Sequence, residues 1–233
     1  HEVDGWVVFQ GLDSLLSVTQ AIGSIFILDE LLARILEYGL RVSGAERGFL
    51  LLYDQKDNIL KLKVSHGLES ELAHLNFSYD NYKISLELID AVEKAKAAAI
   101  ADQENAPLAK ITGELKAFQV RQAMAVPLRT HDKALGFLYV DNRLAGGTFG
   151  KDELELMKSF AVQASVSIEN AYLVSSLVEQ ERFKQELELG RSIQMALLPK
   201  RSPDIEGLRV AGLMLPAKEI GGDYYDFVTP EDP

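Results

Sequence analysis

Apolar residues near the start of the chain recur at helical spacing. From 12 to 43 they return every three or four positions, which predicts two helices separated near Gly23. Asp29 is the expected N-cap of the second helix, and Gly44 stands where a C-cap belongs. The pattern then changes from a period of about four to the alternation typical of strands.

Two β-hairpins follow from apolar runs that flank short polar turns. The first covers 48–66 with its turn at 55–58, and the second covers 122–142 with its turn at 131–133. Pro127 lies inside the second hairpin, where it predicts an edge position or a bulge. Both hairpins together predict an antiparallel sheet.

The segment between the hairpins predicts two helices and one short strand. Ser85 is the expected N-cap of a helix over 86–96, and 97–101 is a short buried strand. Pro107 fits the first turn of a helix that reaches about residue 118. This segment therefore supplies helices that can cover the sheet.

One long helix is predicted from about 151 to 198. No proline occurs between 152 and 198, and a continuous helix of this length would measure about 70 Å. The first half carries an apolar stripe at Leu154, Met157, Ala161, Ala164 and Ile168. The second half carries the apolar pairs Leu173/Leu177 and Phe183/Leu187. These pairs need a cover, for which a second copy of the chain or a following domain is expected.

After Pro199 the sequence predicts a loop and then strands. Residues 208–217 are apolar enough for a strand, and 221–228 alternate in the same way. Alternation places Asp223 and Tyr225 on one face and Asp226 on the other.

The composition and net charge of the chain limit the classes of protein to which it can belong. The 233 residues fit one or two domains, and 47% hydrophobic with 25% charged residues is typical of a globular chain. The net charge of −11 argues against nucleic acid or anionic lipid as a partner. The absence of cysteine excludes disulfides and thiol chemistry. No signal peptide is recognised, so a cytoplasmic location without membrane contact is expected, and the start at His1 suggests an excerpt of a longer protein.

The order of these elements resembles the GAF domain from about residue 12 to 173. The sequences PLRTHDKALGFLYVDN and IENAYL carry the resemblance. It implies an α+β fold, with helices packed on an antiparallel sheet, and a sensor whose ligand is unknown. Some GAF domains bind cyclic nucleotides through a pattern of Asn, Lys, Phe, Asp and Glu. Asn142, Phe149, Asp152 and Glu153 fit that pattern loosely, while Arg143 stands in place of the lysine.

A second resemblance begins near the end of the long helix. Its helix-end motif consists of Ile193, Gln194, Leu197, Leu198 and Pro199. This motif, the Pro–Ala pair at 216–217 and GGDYYDF at 221–227 resemble the opening of PPM-type serine/threonine phosphatases. The similar subgroup is bacterial and includes the sporulation stage II E phosphatase and stress-sigma-factor regulators. The helix-end residues would then form a switch between sensor and phosphatase.

The PPM resemblance implies a metal-binding role for Asp223. In that family the aspartate of the GGD sequence helps to hold two Mn²⁺ or Mg²⁺ ions, and hard cations prefer such oxygen ligands. Gly221 and Gly222 would let the backbone turn tightly, and Tyr225 and Asp226 complete the motif. The other metal aspartates of the family would lie beyond the last residue. We therefore expect this fragment to be inactive and to bind no metal tightly.

These inferences give one leading interpretation and two alternatives. The leading one is an upstream linker (1–11), a GAF sensor (12–170), a signalling helix (171–199) and the first strands of a PPM-type phosphatase (200–233). Such a protein would dimerise through its flanking helices, 12–43 and 170–189, and act on a phosphoprotein such as an anti-sigma-factor antagonist. The alternatives are a small-molecule switch, for instance for a cyclic nucleotide, and a purely structural dimerisation unit.

Overall fold

The computed structural model of the chain describes most of its residues. The described ranges are 27–67, 82–106, 109–131, 133–143 and 148–228. The first predicted helix, before residue 27, and the position of Pro107 lie outside them.

Helices and strands alternate along these ranges. In chain order they are α1 (Leu28–Ser43), β1 (Arg47–Tyr53), β2 (Leu60–His66), α2 (Leu86–Ala95), β3 (Ala99–Asp102), α3 (Ala109–Ala117), β4 (Gln122–Arg129), β5 (Ala134–Asn142) and α4 (Lys151–Leu197). Both predicted hairpins and the long helix are confirmed.

The five strands form one antiparallel sheet in the order β2-β1-β5-β4-β3. β4 is therefore not an edge strand, although β3 pairs with it only as far as Ala125. Pro127 lies beyond that pairing, and a register shift follows between Leu128 and Arg129. A proline, which has no backbone N–H to donate, is tolerated here because β3 does not pair with this end of β4.

Side chains along each strand alternate between the two faces of the sheet, and a separate hydrophobic core lies on each face. Leu50 and Leu52 of β1 pack into the core that contains α1 and the first half of α4. Phe49 and Leu51 pack on the opposite face, in the core that contains α2 and α3. The predicted stripe on α4 is confirmed, because four of its residues are buried and Leu154 packs at the border of the core. The fold is α+β, as predicted.

The helix ends agree with the sequence at two positions and differ at one. Gly44 is the left-handed C-cap of α1, and the Ser85 side chain caps α2 by accepting a bond from the Leu88 amide. Asp29 is not the N-cap of α1, because the helix begins at Leu28 after Ile27, which offers no side-chain bond. Asp29 lies instead in the first turn, where its charge favours the positive end of the helix dipole.

β3 begins two residues later than predicted. Lys96 adopts a left-handed conformation, and the Ala97 amide donates to the Val92 carbonyl. These contacts close α2 before the chain can extend into β3 at Ala99. α3 ends at Ala117, close to its predicted end, and its predicted start at Pro107 lies outside the described residues.

The chain divides into two compact units between Leu173 and Val174. In the second unit the predicted strand at 208–217 is wrong, as is a strand at 221–228. A single bridge between Ile205 and Leu208 is the β-pairing found in the described part of this unit. Apolar alternation alone does not make a strand, because a strand needs a neighbour to satisfy its backbone.

Candidate functional site

The GGD segment, residues 220–223, lies next to the end of α4 and forms no strand. Asp223, the predicted metal ligand, is exposed. Gln194 of α4 binds this segment: its Nε2 donates to the carbonyl oxygens of Gly221 (2.7 Å) and Asp223 (3.3 Å). Its Oε1 accepts a bond from the Gly221 amide (2.9 Å). The predicted switch motif and the predicted metal motif are thus in direct contact.

The other residues of the helix-end motif differ in their surroundings. Leu198 is buried, and Pro199 is half-buried. Ile193 and Leu197 are exposed. Of this motif, Gln194 is the residue that contacts the GGD segment through hydrogen bonds.

The aromatic residues after Asp223 follow the expected alternation of side chains. The rings of Tyr225 and Phe227 meet edge to face at 5.8 Å. On the other side, the Tyr224 hydroxyl donates to Asp226 Oδ2 (3.2 Å). Asp226 also accepts a bond from the Phe227 amide, so its carboxylate is engaged within the segment.

The two glycines before Asp223 have different surroundings. A Cβ at Gly221 would meet the end of the Met214 side chain and would stand 3.3 Å from Gln194 Oε1. Gly222 has open space around it, and neither glycine is among those with positive φ. A larger residue at position 221 would therefore require the flexible end of Met214 to move.

Asp223 fits the role of one metal ligand but not of a complete centre. Its carboxylate is an exposed oxygen donor of the kind that Mg²⁺ and Mn²⁺ prefer. Across the described ranges, no three Asp, Glu, His or Cys residues gather closely enough to hold a cation. A two-metal centre at Asp223 would need carboxylates from other parts of a phosphatase domain.

In the first unit, most of the residues that loosely fit the cyclic-nucleotide pattern of GAF domains make contacts that stabilise the fold. Asn142 Oδ1 accepts from the Glu46 amide (2.8 Å), and Phe149 is buried in the core. Glu153 Oε2 accepts from the Gly150 amide (2.9 Å), which caps the start of α4. Asp152 is exposed in the first turn of that helix. Asn142, Phe149 and Glu153 thus have contacts within the fold that account for their presence without a bound ligand.

A polar cavity of about 500 Å³ lies at the end of the sheet where β5 leads toward α4. Its lining includes the basic side chains of Arg121 and Arg143, the acidic side chains of Asp102 and Glu104, and the polar side chain of Gln122. Gln122 holds this region together, because its side chain forms two hydrogen bonds with the backbone of Phe149. The cavity could take a small polar molecule.

The sequence analysis missed a buried ion pair in the sheet. Arg47 of β1 binds Asp141 of β5 through two hydrogen bonds, Nε to Oδ1 (2.7 Å) and Nη2 to Oδ2 (2.5 Å). Arg47 also donates to the Lys83 carbonyl and lies over the Phe49 ring. Burial raises the pKa of the Asp141 carboxyl, and Arg47 opposes that rise. The sequence did contain one indication of this pair, because a charged residue stands at one end of each of two apolar strands.

A second buried network connects the sheet with α2 and α3. The Ser85 hydroxyl donates to Glu114 (2.5 Å), and the Ser85 amide donates to the Tyr139 hydroxyl (3.3 Å). Burial raises the pKa of Tyr139 far above its usual value, so this phenol stays neutral. This network fixes the start of α2 against the sheet.

No helix within the described ranges has both the length and the apolar character that crossing a bilayer requires.

Comparison with known proteins gives a match to a family model and local similarity to curated proteins. The family model of the GAF domain matches residues 28–170. Residues of the chain are also 36% identical over 53 positions to the phosphoserine phosphatase RsbU of Bacillus subtilis (strain 168). That match covers 23% of this chain and 16% of RsbU, so the chain spans a small part of this relative.

Solved structures agree with the family match. The phycoerythrobilin-bound GAF domain of a cyanobacterial phytochrome is similar with a TM-score of 0.55 and 20% identity, covering 71% of this chain and 97% of that domain. The GAF domain of an Acinetobacter phosphoenolpyruvate-protein phosphotransferase gives 0.53 and 20%, covering 70% and 95%. At this identity the likeness concerns the fold alone. The family match extends over more than half of the sequence, and the chain therefore belongs to the GAF domain family.

Proposed function

We propose that this chain is the regulatory region of a metal-dependent serine/threonine phosphatase of the PPM type. The observation that carries the proposal is the local similarity to the phosphoserine phosphatase RsbU. The GGDYYDF sequence at 221–227 supports it from the residues themselves. In this proposal the GAF domain senses a small molecule or a protein, and the second unit contributes the first part of the phosphatase.

Asp223 is the proposed metal ligand of this chain. Its carboxylate would hold Mn²⁺ or Mg²⁺ together with aspartates from elsewhere in the phosphatase domain. Such a site would supply a metal-bound water of lowered pKa as the nucleophile for hydrolysis of a phosphate ester. The contribution of this chain is to place one carboxylate correctly, which depends on the backbone of the GGD segment.

α4 is the proposed route of regulation. It begins after the sheet of the GAF domain and ends beside the GGD segment, to which Gln194 binds. A change in the packing of this helix can therefore alter the position of Asp223. The partners proposed for the whole protein are a second copy of the chain and a phosphoprotein, such as an anti-sigma-factor antagonist.

The test is the replacement of Asp223 in a protein that carries this chain with a complete phosphatase domain. Asp223→Asn keeps the size of the side chain and removes its charge. We expect Mn²⁺-dependent hydrolysis of a phosphoserine peptide to fall by about 100-fold or more, because the loss of a group that only orients a metal ligand already costs about 10–100-fold. Asp204→Asn, which alters an exposed loop residue, is the control and should retain activity. Unchanged turnover in Asp223→Asn would refute the assignment.

A small-molecule switch without an enzymatic role is the second candidate. The polar cavity beside Arg121 and Arg143 favours it, because guanidinium groups bind phosphate and carboxylate well. Calorimetry with 3′,5′-cyclic nucleotides tests this candidate in the 233-residue chain. If this candidate is correct, the titration shows a heat of binding, and Arg121→Ala weakens the affinity for the nucleotide. Without any heat at about 1 mM ligand, the affinity would be too weak for a nucleotide switch.

A further inference from the structure

A groove of about 350 Å³ lies in the first unit, where the residues before β3, the second half of β4 and α4 come together. Its apolar lining consists of Ala97, Ala98, Val126, Pro127 and Val162. The groove borders the core that contains α1 and α4, because Val126 belongs to that core and Ala98 packs against it. Val162 is 58% exposed, so the side that α4 contributes is open to solvent. We call this feature the β4–α4 groove.

Three basic side chains complete the lining of the β4–α4 groove. They are Lys96, Arg129 and Lys158, and no acidic residue is among the described residues that line it. Lys158 pairs with Glu155 (2.7 Å). Within the described ranges, neither Lys96 nor Arg129 forms an ion pair with an acidic side chain. Positive charge therefore gathers beside apolar surface, although the chain as a whole has a net charge of −11.

This combination favours a small organic anion over a macromolecule as the occupant. The acidic remainder of the chain repels an extended polyanion such as nucleic acid. A second copy that docked through the same surface would bring the basic side chains of both copies together, because a twofold contact pairs a patch with itself. A protein partner covers about 800 Å² on each side, whereas the volume of the groove matches the lower end of small-molecule sites, about 300–1,000 Å³.

We propose that the β4–α4 groove binds a small carboxylate with an apolar hydrocarbon body, such as a fatty acid. Arg129 binds the carboxylate, because the planar guanidinium matches its two oxygens, and Lys96 adds a second positive charge. The hydrocarbon lies against the apolar lining and is thereby removed from water. This inference names a ligand class for the sensor, so it rests on the sensing role in the proposed function, but not on the metal role of Asp223.

Calorimetry with octanoate as the probe tests the ligand class in the 233-residue chain. We expect octanoate to bind with a Kd below about 1 mM. Octanol keeps the hydrocarbon without the charge, and octylammonium reverses the charge. Both should bind at least about tenfold more weakly, because neither offers Arg129 a carboxylate. No binding of octanoate at about 1 mM, or equal affinity for octanol, would overturn the proposal.

Two variants test the site itself. Arg129→Gln should weaken octanoate binding by about tenfold or more, the factor for one lost charge-assisted hydrogen bond. Val162→Asp places a carboxylate in the lining and should weaken binding at least as much, because it repels the anion. Arg191→Gln alters an exposed arginine of the second unit and is the matched control, which should keep the original affinity. Equal affinity in Arg129→Gln and Arg191→Gln would show that the anion does not bind in the groove.

Nuclear magnetic resonance locates the bound octanoate. The largest changes in amide chemical shift should fall on Ala97, Ala98 and Val162, which line the groove. Changes concentrated on Arg121 and Thr148 would place octanoate in the polar cavity and would contradict the proposal.

These experiments fail separately from the test of the phosphatase role. If Asp223→Asn abolishes hydrolysis but octanoate does not bind, the proposed ligand class is wrong and the metal role of Asp223 stands. If octanoate binds as described but Asp223→Asn is fully active, the groove keeps its ligand and the metal assignment is wrong.

Discussion

At the scale of single residues, the ion pair between Arg47 and Asp141 has the largest expected effect on stability. Its side chains are 6% and 0% exposed, so neither charge can be solvated by water when the other is removed. Removal of one partner from a buried pair typically costs about 3–5 kcal/mol. Exposed pairs contribute about 0–1 kcal/mol, because water already solvates both charges.

We predict that Arg47→Met lowers the free energy of unfolding by about 3–5 kcal/mol at pH 7. The reason is that the Asp141 carboxylate remains buried without its counterion. Urea denaturation followed by circular dichroism measures the change. Arg34→Met removes the exposed pair with Glu37 and is the matched control, with an expected loss below about 1 kcal/mol. Equal losses in both variants would show that the buried pair has no special role.

The same variant should show a defined pH dependence. Burial already raises the pKa of Asp141, and without Arg47 that rise is no longer opposed. A carboxyl with a raised pKa in the folded state favours folding when it is protonated, below its unfolded pKa, and this advantage is lost as pH rises through the folded pKa. The deficit of Arg47→Met should therefore be smaller near pH 4 than at pH 7.

At the scale of elements, local patterns predicted helices and hairpins well and the last strands poorly. The hairpin turns and the caps at Gly44 and Ser85 depend on nearby residues, which the sequence displays directly. The segment at 208–217 has an equally apolar pattern, but a strand depends on a neighbour that is distant in sequence. The contact of Gln194 with Gly221 and the pairing of Arg47 with Asp141 likewise join residues far apart along the chain. Side-chain chemistry could suggest such residues but not their partners.

Two glycines allow a matched test of the sheet. A Cβ at Gly136 of β5 would stand only 1.9 Å from the Leu51 carbonyl oxygen of β1, an atom that cannot move without disturbing the strand pair. We predict that Gly136→Ala destabilises the protein by more than about 2 kcal/mol in thermal or urea unfolding. Gly113 of α3 has open space, so Gly113→Ala should stabilise the protein by about 0.5–1 kcal/mol through better helix propensity. A tolerated alanine at Gly136 would contradict the close approach of β1 and β5.

At the scale of the whole molecule, the second unit leaves large apolar side chains on α4 exposed. Leu177, Val178, Phe183 and Leu189 are each between 61% and 64% exposed. Exposed apolar groups in such number along one helix are typical of a surface that meets another protein. The proposed cover is the same stretch of helix in a second copy of the chain, since homodimers with twofold symmetry are the commonest assembly.

This proposal predicts a dimer that depends on those side chains. Sedimentation equilibrium of the 233-residue chain should give twice the monomer mass of 25.8 kDa at about 100 µM. The double variant Leu177→Ser, Phe183→Ser removes two large apolar contacts, each worth more than about 1 kcal/mol at an interface centre, so its dimer should dissociate at least about tenfold more readily. Gln180→Ser alters an exposed polar residue between them and should retain the dimer, because it removes no apolar surface. If the unmodified chain stays monomeric at that concentration, the exposed positions of α4 do not pair with a second copy, and the remaining cover for them would be another domain.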